Sequence, residues 1–234
     1  SQTALAIERP RLTEEAEQAQ VHAETERLRN SLLSSVSHDL RTPLASITGA
    51  ASTLLEGESR LDAATRHDLL ESLHEEADRL NRLVQNLLEM TRLEAGALQP
   101  QTDWHSVEEV VGAALGRFGK ALAQRAVTTR IPPDLPLVQM DDVLVEQVLI
   151  NLVDNVIKYT PADSPIEVSA EDNGDAVVIE VADRGPGLPP GEERLIFEKF
   201  HRAEAGSPVR GAGLGLAICR GIVRAHGGRI WAEN

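Results

Sequence analysis

The sequence predicts two unlike folds in tandem: a helical hairpin that pairs with a second copy as a four-helix bundle, then a separate α/β domain with helices on one face of a mixed sheet. Three observations carry this. Between Arg11 and Leu98 the only Gly and Pro residues are Pro43, Gly49, Gly57 and Gly96, in a background rich in Ala, Leu, Glu and Arg, which is helical composition. Apolar residues in that stretch recur at helical spacing. After Gly96 and Pro100 the texture changes to short alternating runs punctuated by Pro, Gly and Asn, as expected of strands and turns.

Taken in order, a charged, Ala-rich stretch from Leu12 runs into Leu28, Leu32, Val36 and Leu40, one every fourth residue. The segment EGESRLD breaks this helix, and Leu73, Ala77, Leu80, Val84 and Leu87 then form a heptad seam. A lone hairpin leaves that seam in water, so a homodimer is expected. Ser106 followed by Glu109 predicts a capping box that opens a helix through Gln124. VTTRI alternates as a strand, and Pro132, Pro133 and Pro136 mark a loop. VLVEQVLINLVDNVIKY is apolar on most faces and predicts a buried helix. IEVSAEDNGDAVVIEVAD predicts a hairpin with Asn173-Gly174 at its tip. A Gly/Pro-rich loop, the segment EAGSPVRGAG, a helix from Leu214 to His226 and a closing strand RIWAE complete the chain.

Composition narrows the function. Lys plus Arg number 23 against 37 Asp plus Glu, a formal charge of −14 over 234 residues. Such a chain repels nucleic acid and anionic lipid, so any polyanionic ligand must be held by a local site. The single Cys219 rules out an internal disulfide framework and a thiolate metal cluster. No window approaches the roughly 18 apolar residues of a membrane span, and SQTALAIERP lacks the shape of a signal peptide. A chain starting at Ser1 reads as a piece of something longer.

Four constellations carry chemistry. In SHDLRTPL, Arg41 and Thr42 lie three and four residues after His38 and share its helical face, with Asp39 adjacent. Pro43 clashes with the carbonyl of Asp39, so a kink is expected just beyond the histidine. A neutral imidazole beside a carboxylate is a nucleophile near pH 7. The other six histidines read as ordinary surface groups. In NLVDNVIKY, Asn151 and Asn155 place two amides on one face of an apolar helix, followed by Lys158. Amide oxygens suit Mg²⁺, and hydrogen bonds to neighbouring loops are the equal alternative. In DRGPG, Asp183 at a strand end can accept from an exocyclic amine, with Gly185 and Gly187 permitting close approach. In GAGLGL, Gly211, Gly213 and Gly215 open a helix whose N-terminus can bind phosphate. A dinucleotide-binding reading fails, because no strand precedes these glycines and no acidic residue follows about 20 positions on.

The order of these motifs resembles the catalytic region of sensor histidine kinases of two-component systems. The matching boxes are SHDLRTPL, NLVDNVIKYTP, DRGPG, IFEKF and GAGLGLAI, and the likeness covers residues 28–234. Within that family LLSSVSHDLRTPLASITGAAS, DWHSVEEVVGAAL, GLPPGEERLIFEKFHR and GLGLAICRGIVRAHGG resemble the potassium-responsive members. The resemblance implies a signal-transmitting linker over 1–30, a dimerisation and phosphotransfer domain over 31–98, and a Bergerat-type ATP-binding sandwich over 103–234. It implies a cytoplasmic portion of a membrane-anchored kinase, with no membrane contact by this segment and a response-regulator receiver domain as partner.

By position the resemblance makes His38 the phosphoacceptor, Asp39 its acid/base partner, and Thr42 the hydroxyl that positions water when the regulator is dephosphorylated. Asn151 and Asn155 would hold Mg²⁺ and the phosphates of ATP, with Lys158 neutralising charge. Asp183 would read the adenine amine in a pocket shaped by Gly185 and Gly187 and shared by Tyr159. Gly211, Gly213, Gly215 and Leu216 would cradle the phosphates, and Lys199, Arg202 and Arg210 would be cations of a lid. Val156 adds bulk where many relatives carry Ala, and the family's domain normally continues into a further strand beyond the position of Asn234. A hydrolytic relative that uses ATP for conformational closure is the alternative. Such enzymes place a Glu base four residues before the metal asparagine, and here that position is Asn151. A dimeric scaffold with a degenerate nucleotide site is a third reading.

Overall fold

The structure, a computed structural model, describes residues 37, 40–57, 61–201 and 213–234. The expected leading helix and the kink behind His38 lie outside the described residues. The chain divides into two compact units between Leu83 and Val84.

In the first unit helix α1 spans 40–56 and carries Pro43 with its side chain buried. Thr48 and Thr53 donate their hydroxyls one turn back, to the carbonyls of Leu44 (2.8 Å) and Gly49 (2.9 Å). Both polar groups are thereby satisfied inside the helix. Asp62 opens helix α2 (Ala63–Glu94) by accepting from the Thr65 N–H at 2.7 Å. That hydrogen bond holds the Asp62 carboxyl below the usual range. Of the predicted seam, Leu73, Leu80 and Leu87 are half-buried, whereas Ala77 and Val84 are exposed in the single chain.

The division falls inside α2, so its last three turns belong to the second unit, where Met90 is buried among residues of two later helices. The elements that follow are β1 (Asp103–His105), α3 (Val107–Gly116), α4 (Gly119–Leu122), β2 (Val127–Arg130), β3 (Val138–Met140), α5 (Asp142–Tyr159), β4 (Ile166–Asp172), β5 (Val177–Ala182) and α6 (Gly215–Ala225). A short 3-10 turn, Leu195–Phe197, precedes α6 among the described residues. The main sheet has order β2-β4-β5 and is mixed: β2 runs parallel to β4, and β4 antiparallel to β5. β1 and β3 form a separate antiparallel pair in which Trp104 faces Gln139.

Strand β4 buries Ile166, Val168 and Ala170 on one face, at the period of two that a half-covered strand requires. Over that face lie Val107, Val111 and Ala114 of α3 with Leu149 and Val156 of α5. On its other side α5 offers Val148 to Leu214, Ile218, Cys219 and Ile222 at and within α6, with Met90 of α2 closing the cluster. α5 therefore sits between two apolar layers, which is why its sequence is apolar on most faces. Among the described residues no helix is long and apolar enough to cross a membrane.

Five details depart from the sequence reading. Ser106 occupies the N-cap of α3 with extended backbone, but its side chain makes no capping bond. The helix expected through Gln124 stops at Gly116 and resumes as the single turn α4, with Gly119 at φ +22° between them. β1 and β3 were not predicted, since three residues are too few to show alternation. The hairpin tip is shifted by one residue: the Asn173 N–H bonds the Ala176 carbonyl at 3.0 Å, and Gly174 (φ +85°) and Asp175 make the turn. Segment 229–233 forms no strand, pairing with no neighbouring strand among the described residues. The Asn234 amide accepts from the Leu188 N–H (2.6 Å) and donates to its carbonyl (2.8 Å).

Candidate functional site

Helix α5 is the spine of the site. Asp141 caps its start, accepting from the Leu144 N–H at 3.1 Å through one oxygen and from the Gln101 N–H at 2.9 Å through the other. The Asp141 N–H in turn donates to Nε2 of His226 at 3.0 Å, and His226 Nδ1 donates to the Ile222 carbonyl at 2.8 Å. His226 is thus no ordinary surface histidine: it ties the beginning of α5 to the end of α6. His201 likewise pairs with Glu192.

With that end fixed, the start of α6 falls beside Asn151. A Cβ on Gly215 would sit 3.8 Å from Cγ and Oδ1 of Asn151. Asn151 is buried, its Oδ1 is 3.5 Å from Nε2 of Gln147, and its Nδ2 makes no full hydrogen bond, facing only the weakly accepting Cys219 thiol. An unpaired buried amide is costly unless a ligand completes it. Leu214 at the cap of α6 offers no polar side chain to the first amides of that helix. A buried carboxamide with an unpaired N–H donor and an uncapped helix N-terminus therefore converge, and both suit an anion. One turn into α6, burial pushes the Cys219 thiol up to about 12; it accordingly acts as an inert packing group.

Farther along α5, Asn155 is half-buried and Val156 fully buried in the core rather than facing a ligand. Lys158 is ion-paired with Asp154, one turn back, so its charge is already partnered. Tyr159 is exposed, and its carbonyl would lie 3.7 Å from a Cβ on Gly185. The loop after β5 folds against this end of α5: Asp183 Oδ1 accepts from the Gly185 N–H at 2.6 Å. A Cβ at Gly185 would stand 2.8 Å from that oxygen and 3.0 Å from Cγ2 of Thr160, closer than real Cβ atoms settle. Gly187, with φ +72°, leads into Leu188 and its clamp by Asn234.

From Asn151 to Tyr159 the helix rises about 12 Å at 1.5 Å per residue. The two glycine-bearing loops therefore lie near opposite ends of this stretch of α5. The structure brings together Asn151 with Gly215 at one end, and Tyr159, Asp183 and Gly185 at the other. Gly213 (φ +64°) belongs with the first group through a close crossing: the Phe200 N–H bonds its carbonyl at 2.9 Å, and a Cβ there would meet the His201 carbonyl at 2.8 Å. Leu216 is half-buried in the first turn of α6. Lys199 was expected among the lid cations, but its ammonium bonds Glu94 of α2 at 2.7 Å. Arg220 holds Glu198 at 2.7 Å, keeping that carboxyl low. His38, Asp39, Arg202, Arg210 and Gly211 lie outside the described residues. Thr42 is half-buried in α1.

A helix bearing paired amides, with an Asp-Gly loop at one end and a glycine-opened helix at the other, defines the class of ATPases to which residues 140–234 match: histidine kinase-, DNA gyrase B-, and HSP90-like ATPase. Residues 28–96 match the His Kinase A (phospho-acceptor) domain. Carrying both in this order, the chain belongs to the sensor histidine kinases.

Among its relatives is the sensor protein KdpD of Clostridium acetobutylicum, 42% identical over 100% of this chain and 26% of that protein. The chain thus spans about a quarter of the length of that curated relative. Two solved structures share the fold at TM-score 0.61: full-length ShkA in complex with AMPPNP (27% identity, 86% of this chain and 42% of that one) and histidine kinase ThkA in complex with response regulator protein TrrA (25% identity, 89% and 60%).

Proposed function

We propose that the chain is the kinase core of a KdpD-like sensor: it binds ATP, phosphorylates His38, passes that phosphoryl group to an aspartate of a response-regulator receiver domain, and hydrolyses the resulting acyl phosphate. The observation that carries the nucleotide part is the buried, unsatisfied amide of Asn151 set against Gly215 at the start of α6. Residues 31–98 are assigned to dimerisation and phosphotransfer and 103–234 to nucleotide binding, behind a linker over 1–30. The exposed Leu70, Val84 and Leu88 on α2 support a homodimer. The match to KdpD supports a potassium or osmotic stimulus received by a membrane-anchored whole, of which this is a cytoplasmic portion.

The residues present fit Mg²⁺. Asn151 and Asn155 supply neutral oxygen donors, and the cation, when bound, neutralises phosphate charge and leaves its other positions to phosphate oxygens and water. Asp183 keeps its carboxylate at the end of β5, where it accepts from the adenine amine; the Gly185 N–H holds its Oδ1 in place. The N-terminal amides of α6 meet the phosphates. A ring nitrogen of His38 then attacks the γ-phosphorus, a P–N bond forms as the β,γ-bridging P–O bond breaks, and ADP departs. Asp39 orients the imidazole by accepting from its other nitrogen.

Transfer to the regulator needs the imidazole alone, whereas hydrolysis of the acyl phosphate needs a water held in line. Thr42, one turn beyond His38, supplies a hydroxyl that can hold that water. Thr42→Ala is expected to leave autophosphorylation and transfer near wild-type while slowing regulator dephosphorylation about 10- to 100-fold. The check follows label on both proteins in one reaction. Parallel loss of all three activities would show that Thr42 merely shapes the helix around Pro43.

A further inference from the structure

Arg125 lies just before β2, outside every motif of the sequence, yet it is one of the few charged side chains that folding buries. Its guanidinium donates to the Thr160 hydroxyl at 2.6 Å, to the carbonyls of Ile157 and Thr160 at 3.2 Å each, and to the Ser164 carbonyl at 3.4 Å. Three of these four acceptors belong to the last turn of α5 and its cap, where carbonyls lack helical partners and the dipole favours a cation.

The Thr160 hydroxyl also donates, to the Val156 carbonyl at 2.6 Å. With both its bonds made, the Thr160 side chain has one orientation, and its Cγ2 then points to where a Cβ of Gly185 would be, 3.0 Å away. Gly185 is the residue whose N–H fixes Asp183 Oδ1. Bonded groups therefore run from Arg125 to Thr160, whose methyl lies close against the Gly185 backbone in the loop that carries Asp183. Arginine's planar fork makes several bonds at once, which an ammonium cannot reproduce.

We propose that Arg125 is a positioning residue for base selection: it locks the end of α5 so that the Asp183 loop discriminates adenine from guanine. This rests on the reading of Asp183 as the adenine acceptor. Adenine offers an exocyclic amine to a carboxylate where guanine offers a carbonyl oxygen, so any play in the loop weakens ATP binding and narrows its advantage over GTP together.

The test measures Kd for Mg·ATP and Mg·GTP with the whole chain, at a temperature where each variant is folded by circular dichroism. The variants are Arg125→Gln, Arg125→Lys and Thr160→Val. Arg125→Gln is expected to raise the ATP Kd about tenfold and to shrink the ATP/GTP preference by a similar factor. Arg125→Lys is expected to recover part of both. A role confined to stability would lower Tm and leave the preference at its wild-type value, and that result overturns the proposal. If Arg125→Gln does not fold, Thr160→Val decides, since it keeps the side-chain shape and removes the hydroxyl: an unchanged preference overturns the proposal, a reduced one supports it. A wild-type chain that shows no preference for ATP would instead overturn the Asp183 reading and this proposal with it, so the two failures are distinguishable.

Discussion

At Gly185 a single methyl group decides between an open and a blocked loop. An added Cβ would press on Asp183 Oδ1 at 2.8 Å and on Thr160 at 3.0 Å. The carboxylate would have to turn away from the Gly185 N–H, losing both the bond and the orientation needed to meet an amine. Because the Asp183 side of this loop is exposed, the change leaves the core intact. Gly185→Ala is expected to weaken Mg·ATP binding by at least about tenfold in a calorimetric titration, with the unfolding transition little altered. Unchanged affinity would mean that the nucleotide does not use this loop. The same local logic made the site glycines legible in the sequence, since a glycine beside an acid at a strand end announces a close approach. It could not show Arg125 or His226. Their partners lie 35 and 85 residues away in the chain, a separation that local spacing does not report.

Among the described residues, α2 carries a carboxylate with a buried oxygen that no donor meets. Glu89, in the part of the helix that belongs to the second unit, has Oε2 buried without a hydrogen-bond partner. Burial raises its pKa, and the nearby Arg92 offsets that only in part. A raised folded-state pKa means that the native protein binds the proton more tightly than the unfolded chain does, so stability falls as pH rises through the folded value. The stabilisation is fully present only below the ordinary glutamate range, about 4. Glu89→Gln, nearly isosteric and uncharged, is therefore expected to melt about 2–4 °C above wild type near pH 8. The gap should close as pH falls to about 4, and thermal denaturation across that range reads it directly; a constant gap would assign the effect to packing instead. Element by element, long periodic segments such as α2 and α5 were legible because burial repeats over many turns. The three-residue strands β1 and β3 gave no such repeat, the Gly116–Gly119 break interrupted a pattern that looked continuous, and segment 229–233 alternates like a strand but has no ladder to join.

For the molecule as a whole, the reading places the nucleophile and the nucleotide in different compact units. Thr42 belongs to the first unit, while Asn151, Asp183 and Gly215 belong to the second. The high negative charge also makes ATP binding a local property of amides, glycines and a helix end rather than of the overall field. His38→Gln should accordingly bind Mg·ATP with wild-type affinity, because no part of the nucleotide site is touched. The most direct measurement incubates the chain and this variant with Mg²⁺ and γ-labelled ATP, then determines the chemical stability and position of any label. The account predicts an acid-labile, base-stable phosphoryl group that maps to His38 and is absent from His38→Gln. ATP bound with no label on the protein, or phosphate released to water without a labelled His38, would contradict it.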